Sequence, residues 1–534
     1  MKNKTIIFLI FVLAFFLRAY KFGQIPFGVN RDEASLGYNS YSILKTGRDE
    51  HNQKFPIQFE SFGDWKKPMY IYLSTIPIAL LGLNEISTRL VSFIFSFIIM
   101  IFSIKIIKKI YKQKRKRDLV SIFALLFLTL SPWHFHFSRV ALEVMVSVGF
   151  FTIGFYNYLQ KKHILGTLFF IFSMFTYHSA LITVPLWLLF YWALFVKKIS
   201  IKEKLINLFL ISAAISLLFF QTFFSSEGVK AKGLVIFDLP PSEQIENILN
   251  KRTNNFSKLV HNKYVYISTK FIKNYSKTFS KEFFLTRGGG NPSYNISGYG
   301  NFHLIETLSL LLGLAFLLRS KNKYGRLLFF WFFIAPIPGA ITREAVHSTR
   351  EAFLLPISQI IAGIGSASLL VKMKTSKKTV NIFISLMLIT SIPFFTKYFN
   401  DYSIQSDHIY HGYIKEVVED AKNQKERFNS IIFTNYPDSP YIFYAFYHKL
   451  DPNIFHETIK YHPNTWEGFK HAASLDGVHF QDRDEEEIIL KNIQKENNLI
   501  YSRPNTLEEW IRPLNMWDNL DGEVEIVSWK ENQI

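Results

Sequence analysis

The chain is dominated by a succession of apolar runs joined by connectors that alternate in charge. About 20 consecutive apolar residues are what a helix needs to cross a bilayer. Eleven candidates, some short or broken by polar residues, lie near 5–20, 87–108, 118–132, 141–159, 163–178, 180–196, 204–223, 304–319, 326–341, 352–371 and 379–397. "KIIKKIYKQKRKRD" follows the second run, "QKKH" the fourth, "KKISIKEK" the sixth, "RSKNKYGR" the eighth and "KMKTSKK" the tenth. Short Lys/Arg-rich loops stay on the cytoplasmic side. All five therefore fall on one side, together with Lys2 and Lys4, and the N-terminus is expected inside. The segments 21–86 and 224–303, and the tail after 398, are expected outside. The 224–303 segment is itself basic, but long loops are weak witnesses to topology.

The same alternation settles the status of "PMYIYLSTIPIALLGL" at 68–83. Were it a span, "KKIYKQKRKR" would move outside. It is also short and contains Pro77. An interfacial or re-entrant helix within the first external loop is the expectation. The N-terminal "MKNKTIIFLIFVLAFFLRAY" begins like a signal peptide, with a basic end and an apolar run. No small-x-small cleavage site follows it, so it reads as a retained anchor.

Composition agrees. Only 19% of residues are charged and 55 of the 534 are Phe, against about 25% charged in soluble chains. Mean hydropathy is +0.11. The net charge of +19 would suit nucleic acid, but lysines clustered directly after apolar runs are a membrane pattern. Cysteine is absent, which excludes disulfides and thiolate metal ligands. Beyond 398 the chain turns polar. "SIIFTNYPDSPYIFYAFYHKL" reads as a buried strand, a turn and an aromatic-rich helix, and "DRDEEEIILKNIQKEN" as a charged helix. The expected architecture is a mainly α, polytopic membrane protein of about 11 transmembrane helices over 1–398, with an external first loop carrying an interfacial helix. A small extracytoplasmic α/β domain is expected over 399–534.

Ionisable residues gather at the outer ends of these runs, where charge is costly and usually functional. Asp32 and Glu33 stand in the first loop, and so do Lys66 and Lys67. Arg139 and Glu143 stand in "SPWHFHFSRVALEVM", Tyr177 and His178 in "TYHSA". Arg343, Glu344, His347 and Arg350 stand in "ITREAVHSTREA". Each has a plainer reading. Asp32 and Glu33 suit the first turn of the helix "EASLGYNSYSILKTG". Lys66 and Lys67 suit lipid headgroups. Glu143 is spaced to pair with Arg139 at i, i+4. His134 and His136 form an H-x-H pattern too sparse for a metal site, and packing at the interface is the better account. His178 suits an ordinary polar contact, and Arg343, His347 and Arg350 suit nonspecific lipid phosphates. Taken together, one carboxylate as general base, cations for a phosphate leaving group and aromatic faces for a sugar or a lipid tail fit glycosyl transfer from a lipid-phosphate sugar.

At these residues the chain resembles the polyprenyl-phosphate-sugar-dependent C-type glycosyltransferases, a group related to protein O-mannosyltransferases and lipid A aminoarabinose transferases (glycosyltransferase family 39-like). The resemblance rests on Asp32-Glu33 as an acidic first-loop motif and on "DWKKPMYIYL" as a "KPP"-type motif. It extends to "NEISTRL", which places Arg89, and to Leu142-Glu143 as an "LD"-type motif. "SPWHFHFSR", "YHSA" and "TREAVHSTREAFLLP" match a closer bacterial branch, and "SKEFFLTRGGGNPSYNISGYG" looks like a branch-specific element. It covers roughly 5–397. Two departures stand out. Lys67 occupies the place of the first Pro of "KPP", so Lys66 or Lys67 would face the phosphate, an ungapped match favouring Lys66. The second acid is Glu rather than Asp.

The resemblance implies an inverting single displacement on the outer face of the cytoplasmic membrane. It makes Asp32 the base, backs it with Glu33, and lets Glu143 support the acceptor or an ion. It assigns Lys66 or Lys67, with Arg343, Arg350 and His347, to the donor phosphate, and leaves Arg89, Arg139, Tyr177 and His178 as supporting residues. No cofactor is required and no metal ligand set is assigned; a divalent ion is compatible with the scheme. The partners expected are a polyprenyl-phosphate sugar, membrane lipids, and an acceptor that is a protein, a lipid-linked saccharide or an envelope polymer, with no nucleic acid. The competing reading is a polytopic transporter or lipid flippase with an external binding domain, which would call for mid-span charges and a broken-helix repeat. A non-catalytic scaffold would give no reason for acids and bases to gather.

Overall fold

A computed structural model describes residues 3–195, 200–224, 235–465, 470–481, 497–503 and 515–530. The chain divides into two compact units. The first comprises Met1–Ala19, Ile94–Ser138 and Glu143–Phe394; the second comprises Tyr20–Phe93, Arg139–Leu142 and Phe395–Ile534.

A helix overlaps each of the eleven apolar runs: Asn3–Ala19, Glu85–Ile110, Lys114–Leu130, Glu143–Leu159, His163–Met174, Ala180–Phe195, Ile201–Phe224, Leu304–Leu318, Lys323–Ile334, Ile357–Lys372 and Lys377–Phe399. Among the described residues, three helical stretches are long and apolar enough to cross a membrane: Glu85–Ile110, Ala352–Lys372 and Lys377–Phe399.

In the first unit, the Ile357–Lys372 helix is buried along almost its whole length, and the small residues of "AGIGSAS" explain how. A Cβ on Gly363 would sit 2.8 Å from the Val120 carbonyl oxygen, on the Lys114–Leu130 helix. A Cβ on Gly365 would sit 2.0 Å from the Ser309 carbonyl oxygen, on the Leu304–Leu318 helix. Facing it, a Cβ on Gly313 would come within 1.9 Å of the Ile361 carbonyl oxygen. The backbones therefore touch, as small residues permit between apolar helices. Ser366 donates to Ser309 at 2.9 Å and Gln359 to Glu306 at 2.8 Å, which fixes the register.

The second unit joins the first loop to the tail through one apolar core. Val29, Ala34, Tyr38, Phe62, Ile78 and Leu83 pack with Ile414, Val417, Phe433, Ile442, Phe446, Phe455, Leu475, Val478, Leu499 and Ile526. The first loop holds a helix, Arg31–Thr46, then a hairpin of β1 (Phe59–Ser61) and β2 (Asp64–Lys66), then the short helix Pro68–Leu81. At about 1.5 Å per residue, the 14 residues of Pro68–Leu81 fall short of a bilayer core.

The tail carries β3 (Ser430–Phe433), β4 (Lys460–Tyr461), β5 (Ala472–Leu475), β6 (Val478–Phe480), β7 (Asn498–Ser502), β8 (Asn515–Asp518) and β9 (Val524–Lys530). They form one sheet in the order β4-β5-β6-β3-β7-β9-β8. β3 pairs parallel with β6 and β7, and the outer pairings are antiparallel. The apolar "SIIF" strand, buried from Ile431 to Phe433, is the central one, and the aromatic helix Pro440–Tyr447 follows it as the sequence predicts. The charged helix expected at "DRDEEEIILKNIQKEN" lies outside the described residues, apart from Asn497.

The helix contact in the first unit is directly testable. Gly365→Val drives a branched side chain into the Ser309 backbone, and overpacking of this kind costs about 1–3 kcal/mol or more. The expected result is a clear fall in the thermal midpoint of the detergent-solubilised protein, with an unchanged midpoint contradicting the close contact.

Candidate active site

The helix expected as "EASLGYNSYSILKTG" is present but begins two residues earlier, as Arg31–Thr46. Asn30 is the N-cap: its Oδ1 accepts the Glu33 N–H at 2.9 Å, and the Glu33 carboxylate reaches back to the Asn30 N–H at 3.4 Å. This is a capping box. Gly47 closes the helix in the left-handed region at φ 70°, where glycine has no steric penalty.

The cap is only part of what Glu33 does. Its carboxylate, 1% exposed, accepts from Arg89 Nε at 2.9 Å, from Arg89 Nη2 at 2.7 Å and from the Ala141 N–H at 2.6 Å. Arg89, fully buried, also donates Nη1 to the Pro26 carbonyl at 2.8 Å and Nη2 to the Gly28 carbonyl. A buried ion pair survives only when the remaining donors and acceptors are satisfied, and here the guanidinium and carboxylate are matched by backbone groups. Glu33 and Arg89 therefore tie the helix start to the backbone at Pro26, Gly28 and Ala141. Arg139 plays a similar part in the same unit. Its guanidinium donates to the carbonyls of Tyr20, Lys21 and Ile25 at 2.9–3.0 Å and lies over the Tyr398 and Phe399 rings.

Asp32 is one residue away and faces differently. Its side chain is 46% exposed, and its Oδ1 lies 2.6 Å from Lys66 Nζ, whose side chain is 6% exposed. The charge of Lys66, acting against burial and aided by Arg31, holds the Asp32 carboxyl below the ordinary carboxylate range. Lys66 is placed by the hairpin. Phe59 pairs with Lys66 and Ser61 with Asp64 across β1 and β2, leaving Phe62-Gly63 as a two-residue turn at φ 58° and 76°. Such turns need positive φ at both positions, and a phenylalanine there is uncommon. Its surroundings hold it: the Phe62 ring lies under the Arg31 guanidinium at 4.8 Å and beside the Tyr441 ring at 5.9 Å. Lys67 is the buried N-cap residue of the Pro68–Leu81 helix. Of the two lysines, Lys66 is the one paired with Asp32.

Two residues here escaped the sequence reading. Arg31 makes an ion pair with Asp438, in the loop after β3. Glu50, fully buried, accepts from Asn39 at 2.9 Å, Ser61 at 2.5 Å and Tyr441 at 3.1 Å; burial raises its carboxyl above the ordinary range. Arg31 sits inside "NRDE", so its charge beside Asp32 was the available signal. Glu50 had none, because its partners are set by the fold.

The remaining predicted residues belong to the first unit. Glu143 opens the Glu143–Leu159 helix, where an acid suits the helix dipole. Tyr177 donates to Thr349 Oγ1 at 3.0 Å, and Thr349 Oγ1 lies 2.8 Å from His347 Nδ1. Burial and the charge of Arg350 push the His347 imidazole down to about 4, so it is neutral at physiological pH. Arg350 donates to Thr342 Oγ1 at 2.9 Å and to the Glu344 carbonyl at 3.0 Å, with the Glu344 carboxylate at 3.6 Å. Arg343 donates to the carbonyls of Val235 and Asp238. His178 is exposed.

The "RGGG" segment backs this loop. The Gly289 N–H donates to Ser348 Oγ at 3.0 Å and to Asn295 Oδ1 at 2.9 Å, and a Cβ on Gly289 would stand 2.4 Å from the Ser348 nitrogen. A further residue missed by sequence reasoning is Glu351. It is fully buried, accepts the His347 N–H at 3.0 Å, and burial pushes its carboxyl up to about 8. Among the described residues no group of His, Asp or Glu is arranged to hold a metal ion.

Solved structures share this architecture. ArnT from Cupriavidus metallidurans in the apo state matches over 99% of this chain and 98% of its own, at 11% identity and a TM-score of 0.52. The same protein bound to undecaprenyl phosphate matches over 98% and 97%, at 10% identity and 0.53. The archaeal oligosaccharyltransferase AglB from Archaeoglobus fulgidus, in complex with an inhibitory peptide and a dolichol-phosphate, matches over 94% of this chain and 69% of its own, at 11% identity and 0.50. No family model and no curated protein sequence matches the chain. At these identities the likeness is one of fold: the chain has the C-type glycosyltransferase fold that its motifs resemble.

Two stability measurements follow from the buried carboxyls. Arg89→Met leaves the Glu33 charge buried without its counter-ion, a change that costs about 3–5 kcal/mol; thermal unfolding that matches wild type would show that the pair carries no such load. For Glu351 the folded carboxyl binds its proton more tightly than the unfolded one. Stability from this group is therefore full at low pH and is lost as pH rises toward about 8. Glu351→Gln should match wild type near the ordinary carboxylate range and exceed it increasingly up to that pH. A constant difference across pH would contradict the raised carboxyl.

Proposed function

Starting from the C-type glycosyltransferase fold, we propose that the protein is an integral membrane glycosyltransferase. It transfers a sugar from a polyprenyl-phosphate donor to an acceptor hydroxyl on the extracytoplasmic face. The observation that carries this reading is the Asp32–Lys66 pair at 2.6 Å: a carboxylate fit to take a proton beside a cation fit to hold a phosphate. Two of the structural neighbours are solved with lipid phosphates, undecaprenyl phosphate and dolichol-phosphate, which favours a donor of that class.

The chemistry is a single displacement with inversion. The acceptor oxygen attacks the anomeric carbon as its proton passes to Asp32. The bond from the anomeric carbon to the phosphate oxygen breaks, and the polyprenyl phosphate leaves with the electron pair. The leaving group is already an anion, so no acid is obligatory. Its charge is met by Lys66. Glu33 and Arg89 fix the helix start that presents Asp32.

The resting pair also has a logic. A carboxylate held charged by a lysine is a poor base, and a general base works best with its pKa near the operating pH. When the donor phosphate takes Lys66, Asp32 loses part of its stabilising charge and its basicity rises. Proton abstraction is thereby tied to the presence of donor.

Membranes containing the protein, offered a panel of lipid-phosphate sugars, should yield a glycosylated product. Asp32→Asn should lower turnover by about 10²–10⁴ with donor binding retained; normal transfer by that variant removes the base assignment. Lys66→Gln should weaken donor binding. It should also move the acid limb of kcat/KM to higher pH, because the charge that depresses Asp32 is gone. An unmoved limb would separate Lys66 from the base.

A further inference from the structure

Residues 251–281 contain eight Lys or Arg (Lys251, Arg252, Lys258, Lys263, Lys270, Lys273, Lys277 and Lys281) and no Asp or Glu. The sequence topology expects this segment outside, where the positive-inside rule gives it no reason to be basic. Its helices are short and polar. Asn255–Val260 is capped by Asn254 through a reciprocal bond with Ser257, and Lys263–Lys277 by Asn262. Fifteen residues, four of them lysine, cannot cross a bilayer core. Yet the segment presents large apolar side chains outward. Phe256 is 75% exposed, Leu259 71%, Tyr264 81% and Ile272 62%.

One face of the longer helix is engaged within its own unit. Asn274 donates to the carbonyls of Ala340 and Thr342 at 3.2 and 2.9 Å, and Tyr275 to the Phe333 carbonyl at 2.7 Å. These contacts end directly before Arg343, so the helix steadies the root of the Arg343–Arg350 loop. Elsewhere on the helix Val265 and Ile272, with Tyr264 in the first turn, are exposed among Lys263, Lys273 and Lys277.

Apolar side chains rimmed by lysines, on helices too short to span, are the signature of a segment lying in a membrane interface and drawn there by anionic lipid. We propose that residues 251–277 dock on the anionic phospholipid headgroups of the bilayer that holds the protein. Phe256, Leu259, Tyr264 and Ile272 enter the headgroup region and the exposed Lys263, Lys273 and Lys277 meet the phosphates, with Lys270 held by Glu243 at 3.2 Å. Docking presses the far face of the helix against the Phe333–Thr342 stretch and so sets the loop that follows. The inference rests on the membrane placement and not on the role of Asp32.

The test is hydrogen exchange of the full chain in nanodiscs of phosphatidylcholine with and without phosphatidylglycerol. Amides of 255–277 should exchange more slowly in the anionic discs, and the protection should fall at high salt, where exposed charges are screened. The combined variant Lys258→Gln, Lys263→Gln, Lys273→Gln should lose the anionic preference, each lysine being worth about fivefold in lipid affinity. Phe256→Ser with Tyr264→Ser should weaken protection in both discs. Equal exchange in the two discs overturns the proposal, and so does protection that appears only when trace polyprenyl phosphate is added. Failure of the chain to enter discs at all would instead contradict the membrane reading, which distinguishes the two failures.

Discussion

The buried Glu33–Arg89 pair is the interaction on which the second unit's proposed chemistry depends. Two charges removed from water are expensive, and the cost is recovered only by dense, well-aligned hydrogen bonding. Here one carboxylate collects Arg89, the Ala141 N–H and the helix start at Asn30, while Arg89 gathers the carbonyls of Pro26 and Gly28. Segments distant in sequence are thereby tied at one point, directly behind Asp32. Removing either charge strands the other, so the position of Asp32 is set by groups that take no part in the proposed reaction.

On that foundation, Asp32 and Lys66 reach each other from a helix start and a hairpin end. The helix is fixed by its cap, and the hairpin by a turn that forces Phe62 into a conformation normally left to glycine and asparagine. Such strain is retained where surrounding contacts over-determine it, and the Arg31 guanidinium and Tyr441 ring supply those contacts. Arg31 also pairs with Asp438, so the loop after the central strand of the tail meets the residue next to Asp32. The first loop and the tail share a core and a charge pair, which makes the tail part of the framework that holds the proposed base.

Much of this was legible in the sequence. Apolar runs located eleven helices because an apolar run is a local property, and among the described residues three helical stretches are long and apolar enough to cross a membrane. The helix "EASLGYNSYSILKTG" and its first-turn acids were equally local, although the structure begins the helix two residues earlier, at Arg31. For Glu33 the plain capping role and a functional one were both open, and the structure shows the cap together with a buried ion pair that no local pattern discloses. The pairing of Asp32 with Lys66 was suggested only as a shared side of the membrane. What could not be read was long-range partnership: Glu50 with Tyr441, Arg31 with Asp438, Arg343 spent on carbonyls of 235 and 238, and the buried Glu351 under His347. Each depends on which segments the fold brings together. The low charge of His347 likewise follows from burial, which its sequence neighbours do not reveal.

The resting Asp32–Lys66 pair makes one physical claim above the others, that donor phosphate and carboxylate compete for the same lysine. Titration of the Asp32 carboxyl in the intact protein, followed by difference infrared spectroscopy against Asp32→Asn, measures this directly. In the absence of lipid phosphate the carboxyl should titrate below the ordinary carboxylate range, as the Lys66 charge dictates. Adding polyprenyl phosphate should move its titration upward. A titration that stays in place, or moves further down, would contradict the role of Lys66 and with it the coupling of base to donor.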